Sequence, residues 1–362
     1  MSALVGGRRA DRADRRLDTR KDNNPKQMKI NCATLGVQMA FLRKKGAAAV
    51  AVIAAVFLLS ACSVGNDDKS AEGGSTKVVV TVAPVVDTAP LYLAREQGLF
   101  EKAGLDVDIQ IAPSTGARIP ALIANTAQVG LIGTADVLQA ASAGIPLRVI
   151  GETTITTNDP AADTGKVYVS AKSGITDPAQ LNGKTVAVGG LGGGGELSLR
   201  AALDQSGADS SKVKFIEVPF DSMVSALQSG RVNAISSVAP FTDAAEAAGS
   251  KYLLSPGAIS VPGAAQQIAV TTAKYSSDHT EVVKKFVDAL NKATIYATAH
   301  PDAVRKILGT YTKTPADVAA RMQLPAFDPA FSKDRLGKWA QLMEKYKFVK
   351  NDINVSKLVG EN

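Results

Sequence analysis

Residues 77–111 read KVVVTVAPVVDTAPLYLAREQGLFEKAGLDVDIQI, and their pattern decides the fold class. Val78-Val79-Val80-Thr81-Val82 is a short, almost continuously apolar run of the kind that forms a buried strand. Pro90 suits a helix first turn, where its missing N–H has no intrahelical partner to lose, and it opens a helix over Leu91–Gln97 that Gly98 stops. Asp106–Ile111 then alternates polar and apolar residues, which sets Val107, Ile109 and Ile111 on one face of a strand. Strand, helix and strand in this order predict an α/β architecture.

The alternation continues outward. Helix Ile119–Ala124, strand Val129–Ile132, helix Asp136–Ala143 and strand Arg148–Ile150 complete a first series. A second begins at strand Thr185–Val188 and runs through a glycine-rich turn, helix Glu196–Gln205, strand Val213–Val218, helix Ser222–Gln228, strand Val232–Ile235 and a helix through Ala244. Both series contain one unit: a helix ending at Ala121-Leu122 or Ala226-Leu227, a strand, then a small polar turn, Gly133-Thr134-Ala135 or Ser236-Ser237-Val238. Two such lobes make a cleft. The tail reads as helical, with starts at Asp278 (three residues before Glu281) and at Asp328-Pro329, the latter leading to Trp339, Leu342 and Met343. It is expected to pack back on the first lobe.

At 362 residues, 45% hydrophobic and 21% charged, the chain has globular composition and a length suited to two domains. Its net charge of +7 is confined to the start: residues 1–45 hold 12 Lys and Arg against 4 Asp and Glu, whereas the remainder holds 29 against 30. No nucleic-acid partner is therefore implied. Arg43-Lys44-Lys45, the apolar run Gly46–Leu59 and small residues before Cys62 have the layout of a secretory signal, and the run is shorter than the roughly 20 residues of a membrane span. A start at Met39 would leave Met39–Ala61 as a compact signal. Leu59-Ser60-Ala61-Cys62 resembles the lipobox of bacterial lipoproteins, which implies acylation of Cys62 as the mature N-terminus and a lipid anchor on the extracytoplasmic face of the cell membrane. Residues 1–61 are then leader and signal, and 62–76 a lipidated cysteine and polar tether. Cys32 and Cys62 are the only cysteines, so the mature chain has no internal disulfide.

From about Val78 to Val359 the chain resembles the periplasmic-type solute-binding proteins of the nitrate, sulfonate, taurine and thiamine-precursor transport group. The resemblance rests on Ala89-Pro90-Leu91-Tyr92-Leu93-Ala94-Arg95-Glu96-Gln97-Gly98-Leu99-Phe100, on Gly104-Leu105-Asp106-Val107 and on Leu181-Asn182-Gly183-Lys184-Thr185-Val186-Ala187-Val188. It implies a bilobed periplasmic-binding-protein-like (type II) fold of two α/β lobes, one of residues 77–168 plus 270–362 and the other of 172–267, joined by crossing segments at Val167–Ala171 and Ile268–Thr272. It also implies a monomer that delivers a small solute to an ABC permease and its ATPase. The family's G-x-V-D segment lacks its acid twice, at Ala127-Gln128-Val129-Gly130 and Gly230-Arg231-Val232-Asn233; both segments lie at strand starts, opposite the expected cleft, and are read as structural.

Ligand is expected where strands end and helices begin. Asp87, Thr88 and Ala89 follow the first strand, where they either cap the helix or present N–H groups and a hydroxyl to ligand; Asp87 could instead meet a ligand amine. Ser114 and Thr115 occupy the equivalent turn after the second strand, with Arg118 as either an anion donor or a solvated side chain. Gly133 and Thr134 follow the third. Gly190, Leu191, Gly192 and Gly193 lie in GGLGGGG (189–195), whose exposed N–H groups suit an anion. Gly190-x-Gly192-x-x-Gly195 with Glu217 imitates a dinucleotide fingerprint, but six glycines among seven residues make that spacing nearly automatic. Phe220, Asp221, Ser237 and Phe241 complete the set, hydroxyls for a head group and rings for an apolar part.

No cofactor or metal is expected. His279 and His300 have ordinary surface explanations, no His, Cys or carboxylate cluster has metal-ligand spacing, and no serine stands in a G-x-S-x-G elbow. Some members of the fold are enzymes of thiamine or menaquinone synthesis, but the Cys-rich segment of the thiamine-precursor synthases is missing here. The solute is expected to be a small anion or zwitterion such as a sulfonate, taurine or nitrate, with a pyrimidine thiamine precursor or an aromatic carboxylate as the alternative.

Overall fold

Two sheets carry the chain, and the computed structural model describes it over residues 75–112 and 115–359, with Thr115 by its backbone alone. The first sheet comprises β1 (Thr76–Val82), β2 (Leu105–Ile111), β3 (Val129–Gly133), β4 (Leu147–Ile155), β10 (Ala265–Thr272) and β11 (Ala326–Phe327), in the order β11-β4-β10-β3-β1-β2. The second comprises β5 (Gly165–Val169), β6 (Thr185–Val188), β7 (Lys214–Glu217), β8 (Ala234–Val238) and β9 (Lys251–Leu254), in the order β7-β6-β8-β5-β9. β1, β2 and β3 are parallel, as are β6, β7 and β8; β10 and β5 run against them.

The helices follow in chain order. They are α1 (Ala89–Glu96), α2 (Leu99–Lys102), α3 (Thr115–Ile123), α4 (Thr134–Ser142), α5 (Gly194–Gln205), α6 (Phe220–Gln228), α7 (Phe241–Ala247), α8 (Pro256–Ser260), α9 (Ala273–Asp278), α10 (Thr280–Ala299), α11 (Pro301–Leu308), α12 (Ala316–Arg321), α13 (Lys333–Lys345) and α14 (Val355–Val359).

The internal repeat is real down to single hydrogen bonds. Gln128 accepts from Val79 N–H through its side chain (2.9 Å) and donates its own N–H to Val79 O (2.9 Å). Asn233 does the same with Thr185, at 3.0 and 2.8 Å. Each amide ties the residue before a strand to the neighbouring strand, so Gln128 corresponds to Asn233; the first segment is therefore 125–128, with Asn125 at φ 54° matching Gly230 at φ 73°, two residues before the expected Ala127–Gly130.

The crossing segments lie elsewhere than expected. Residues 167–169 are the end of β5 and 268–272 the end of β10, both inside sheets, and the chain passes between sheets at 156–164 and 255–264. Val167, Tyr168 and Val169 are buried against β8, as are Ile268, Ala269 and Val270 against β3; such apolar residues suit a sheet interior better than a hydrated linker. The crossings are bound to one another. Thr156 N–H donates to Ala264 O (2.8 Å), Gly263 N–H to Thr156 O (2.9 Å), and Ala264 N–H to Thr156 Oγ1 (2.8 Å). Asp163 accepts from Gly165 N–H (2.9 Å) and Ala258 N–H (2.8 Å), and Ser255 Oγ donates to Pro160 O (2.8 Å).

The tail does pack on the first sheet. On one face Val78, Val80 and Val82 meet Leu91 and Leu93 of α1 and Phe286 and Leu290 of α10, with Phe100 stacked on Phe286 at 5.2 Å. On the other, Ile132 and Leu138 meet Leu336, Trp339 and Met343 of α13, and Trp339 Nε1 donates to Ala265 O at 2.7 Å. Two expected helix starts are moved. Asp278 ends α9, paired with Lys274 (2.5 Å), and α10 starts at Thr280; α13 starts at Lys333, while Asp328 is taken by Arg335 (2.7 Å).

Arg335 also donates to Glu152 Oε1 at 2.6 Å; Glu152 is fully buried and its Oε2 has no partner. Burial pushes this carboxyl up to about 7 against the opposing pull of Arg335. The folded protein therefore holds a proton that the unfolded chain releases near the ordinary value of 4.5, and stability falls as pH rises between the two. Glu152→Gln is expected to flatten the decline of the melting temperature between about pH 5 and pH 8. Equal slopes for the two proteins would show that Glu152 is not its source.

Candidate functional site

The carboxyl ends of β1, β3 and β4, and of β6 and β8, lead into α1, α4, the first crossing, α5 and α7. Asp87 sits in the turn Val86–Thr88 between β1 and α1, half-buried, and Oδ1 accepts from Thr154 Oγ1 of β4 at 2.9 Å. It caps nothing: the α1 N-cap is Thr88, with no side-chain cap bond. Thr88 and Ala89 are fully buried, Thr88 Oγ1 donates to Val85 O (2.7 Å), and the N–H groups of Thr88 and Ala89 are taken by Val85 O and Val86 O. Pro90 has no N–H. Three successive positions at this helix start thus offer no free donor, against the expectation of an anion cradle, and of the three residues Asp87 alone presents a polar group to the cleft.

Asp87 lines a polar crevice with Thr156, Thr157, Asp163, Thr164 and Gln266, where the first sheet meets the first crossing. Burial raises both the Asp87 and the Asp163 carboxyls, opposed by the Thr154 hydroxyl at Asp87 and by the Gly165 and Ala258 N–H groups at Asp163. Sequence reasoning missed the crossing residues. The signal available was the threonine-rich run Thr153-Thr154-Ile155-Thr156-Thr157 at a strand end.

Ser114 and the Thr115 side chain lie outside the described residues. Arg118 is buried and turned inward, with Nη1 3.4 Å from Leu131 O; burial works against its charge and Asp136 offsets this in part. Gly133 ends β3, and Thr134, 1% exposed, directs Oγ1 at Gln266 O (3.5 Å) beside the crevice.

The glycine run is occupied by the protein itself. Gly192 N–H donates to Glu196 Oε2 (2.8 Å), Leu191 N–H points to Glu217 Oε2 (3.4 Å), and Gly192 O accepts from Gln139 Nε2 of α4 (3.1 Å). A Cβ on Gly193 would lie 3.2 Å from Asp136 Oδ1, and one on Gly194 2.8 Å from the Ala135 Cβ. The run lets α5 close on α4, and two of the N–H groups expected to meet an anion already have carboxylate acceptors. Glu217, the ribose contact of the fingerprint reading, is one of them. Glycine is required here for close approach.

Phe220 lies over Gly189, where a Cβ would enter its ring, and stacks on Phe241 at 5.6 Å; both are half-buried. Ser237 is buried with an unpartnered Oγ. Asp221 is exposed and accepts from Ser222 Oγ (3.0 Å). The structure thus joins Phe220 with Phe241, and Asp87 with the crevice, and turns Gly192 and Gly193 toward α4. His279 and His300 are exposed, each against a tyrosine one helical turn earlier, at 4.4 and 4.0 Å. Among the described residues, no group of three or more His, Cys, Asp or Glu is placed to hold a metal ion, and no helix is long and apolar enough to cross a membrane.

Gly194→Val is expected to destabilise by about 1–3 kcal/mol through overpacking against Ala135, read as a lowered urea midpoint. Gly190→Ala, where a Cβ meets nothing within 4 Å, should leave it unchanged. Equal effects would contradict the close approach of α5 and α4.

Comparison with known proteins places these features in a family. The family model described as NMT1/THI5 like matches residues 86–304. A putative aliphatic sulfonates-binding protein of Bacillus subtilis is 29% identical over 266 residues, covering 72% of this chain and 76% of that protein. The crystal structure of the periplasmic aliphatic sulphonate binding protein of Escherichia coli superposes with a TM-score of 0.67 at 17% identity, covering 79% of this chain and 98% of that one. A desulfurization enzyme, crystallised as a Cys-to-Ser mutant with biphenyl-2-sulfinic acid, shares the fold at a TM-score of 0.60 and 15% identity over 79% of this chain and 96% of that one.

Proposed function

The chain belongs to the NMT1/THI5-like family, and from that premise and its binding-protein relatives we propose a lipid-anchored extracytoplasmic receptor of an ABC importer that binds one small organic solute without transforming it. The observation that carries the reading is the convergence of strand ends and the first crossing on one crevice beside Asp87, in a fold whose chain crosses twice between two sheets. Closing such a hinge over a bound solute would create the shape that a permease recognises. The solute is a small anion or zwitterion; a pyrimidine or an aromatic carboxylate is the second reading, favoured by the stacked Phe220 and Phe241.

Binding rather than turnover is supported by chemistry. The fold admits an enzyme, but this chain has no cysteine beyond Cys62, so no thiol nucleophile belongs to either sheet. The lipobox at 59–62, outside the described residues, supports the anchor.

Two measurements test this. Full-length protein in detergent should gain roughly 2.7 kcal/mol of stability from its solute at about 100 times the dissociation constant, visible as a thermal shift with unchanged solute recovered; recovery of a product would overturn the reading. Cys62→Ser should move the protein from the membrane fraction to the soluble fraction, and a variant that stays in the membrane fraction would contradict lipid anchoring at Cys62.

A further inference from the structure

We propose that one edge of the second sheet, where β6, β7, β8 and β9 begin and β5 ends, is a docking surface for anionic phospholipid headgroups. The inference rests on the extracytoplasmic membrane location proposed above.

The register puts a base beside every strand of that edge. Lys184 directly precedes β6, Lys214 opens β7 opposite Thr185, and Arg231 stands shortly before β8. Lys251 opens β9 opposite Val169, the last residue of β5, and Lys172 lies in the turn that follows. Val169 also pairs with Ala234, the first residue of β8, which brings all of these bases to the same end of the sheet. Each is exposed, and among the described residues the ion pairs of this lobe use Lys166, Arg200 and Lys212 instead. The acids of the adjoining loops are engaged: Asp209 pairs with Lys212 (3.0 Å), and Asp177 accepts from Ala179 N–H (2.8 Å). At the opposite edge β7 ends in the exposed Glu217, and the exposed Asp221 follows in α6. The sheet is thus electrically polarised along its strands.

This surplus is local, because the chain after residue 45 holds 29 Lys and Arg against 30 Asp and Glu. Neighbouring strands lie about 4.8 Å apart, so the strand ends set these charges along a row of roughly 20 Å. A small ion would meet only one or two of them, whereas a broad anionic plane meets the whole row at once. An anionic leaflet attracts every base that comes within a Debye length, about 8–10 Å, of its surface. Cys62 stands 14 residues before Thr76, a chain reach of at most about 50 Å, so a protein anchored there stays beside the leaflet. Under that tether even a weak attraction acts at high effective concentration and sets which side of the protein faces the lipid.

Lysine acetylation footprinting of the full chain on vesicles tests the surface, with phosphatidylcholine alone compared against an equal mixture of phosphatidylcholine and phosphatidylglycerol. Acetylation of Lys172, Lys184, Lys214 and Lys251 is expected to fall roughly threefold or more on the anionic vesicles and to recover in about 0.5 M sodium chloride. Lys284, Lys285 and Lys292, exposed on α10, should label equally on both. The combined exchange Lys184→Gln, Lys214→Gln and Arg231→Gln should abolish the protection of Lys172 and Lys251. The combined exchange Lys284→Gln, Lys285→Gln and Lys292→Gln removes the same charge elsewhere and should leave that protection intact. Equal labelling of the edge on the two kinds of vesicle, or protection shared by α10, would overturn the docking surface. Flotation reads the anchor separately: protein that leaves the phosphatidylcholine vesicles contradicts anchoring, while its footprint on the anionic vesicles still decides the edge. Protein that floats with neither overturns both.

Discussion

Everything above depends on how two strands of backbone pass between the sheets. Each crossing is short, and each exposes peptide groups that no sheet satisfies. Thr156 and Asp163 answer that need from one side, holding the returning segment 255–264 by its N–H and C=O groups. An unpaired buried backbone group costs on the order of 1–3 kcal/mol, so the crossings are stable chiefly as a pair. Their pairing fixes the place where Asp87 meets the threonines, and so fixes the crevice. The crevice is consequently a by-product of joining the two sheets, built from residues that also satisfy the joint.

The two ends of the cleft do different work. Around Asp87 the structure leaves capacity uncommitted: among the described residues this carboxyl has the Thr154 hydroxyl as its side-chain partner and no ion pair. Around the glycines it commits such groups locally, Gly192 to Glu196 and Gln139, and Leu191 to Glu217. The glycine-rich turn, the more conspicuous feature of the sequence, is thus the more fully committed of the two, and Asp87, in a three-residue turn after β1, the less.

Much of the fold was legible because its signals are local. Val78–Val82, Thr185–Val188 and the amphipathic pattern of α1 declare themselves within a few residues. The crossings were not legible, because whether Gly165–Val169 is a strand or a linker depends on pairing with Ala234–Val238, about seventy positions later. At the site, Asp87 was visible as a polar residue at a strand end. That its neighbours' N–H groups are spent, and that Thr154 holds it, are facts of tertiary contact. Glu196 shows the same limit: the sequence displays glycine donors, but not which carboxylate bends back to accept from them.

One helix remains to be considered for what it does to the whole. α5 turns Leu197 and Ala201 into the core that includes Leu138 and Trp339, and Leu199, Ala202 and Leu203 into the core of the second sheet. Its apolar surface is thus shared between two interiors. Melting either lobe would strip one side of α5 and expose it to water, and that penalty falls on the lobe still folded. Although the architecture looks divisible, this shared helix couples the two interiors energetically.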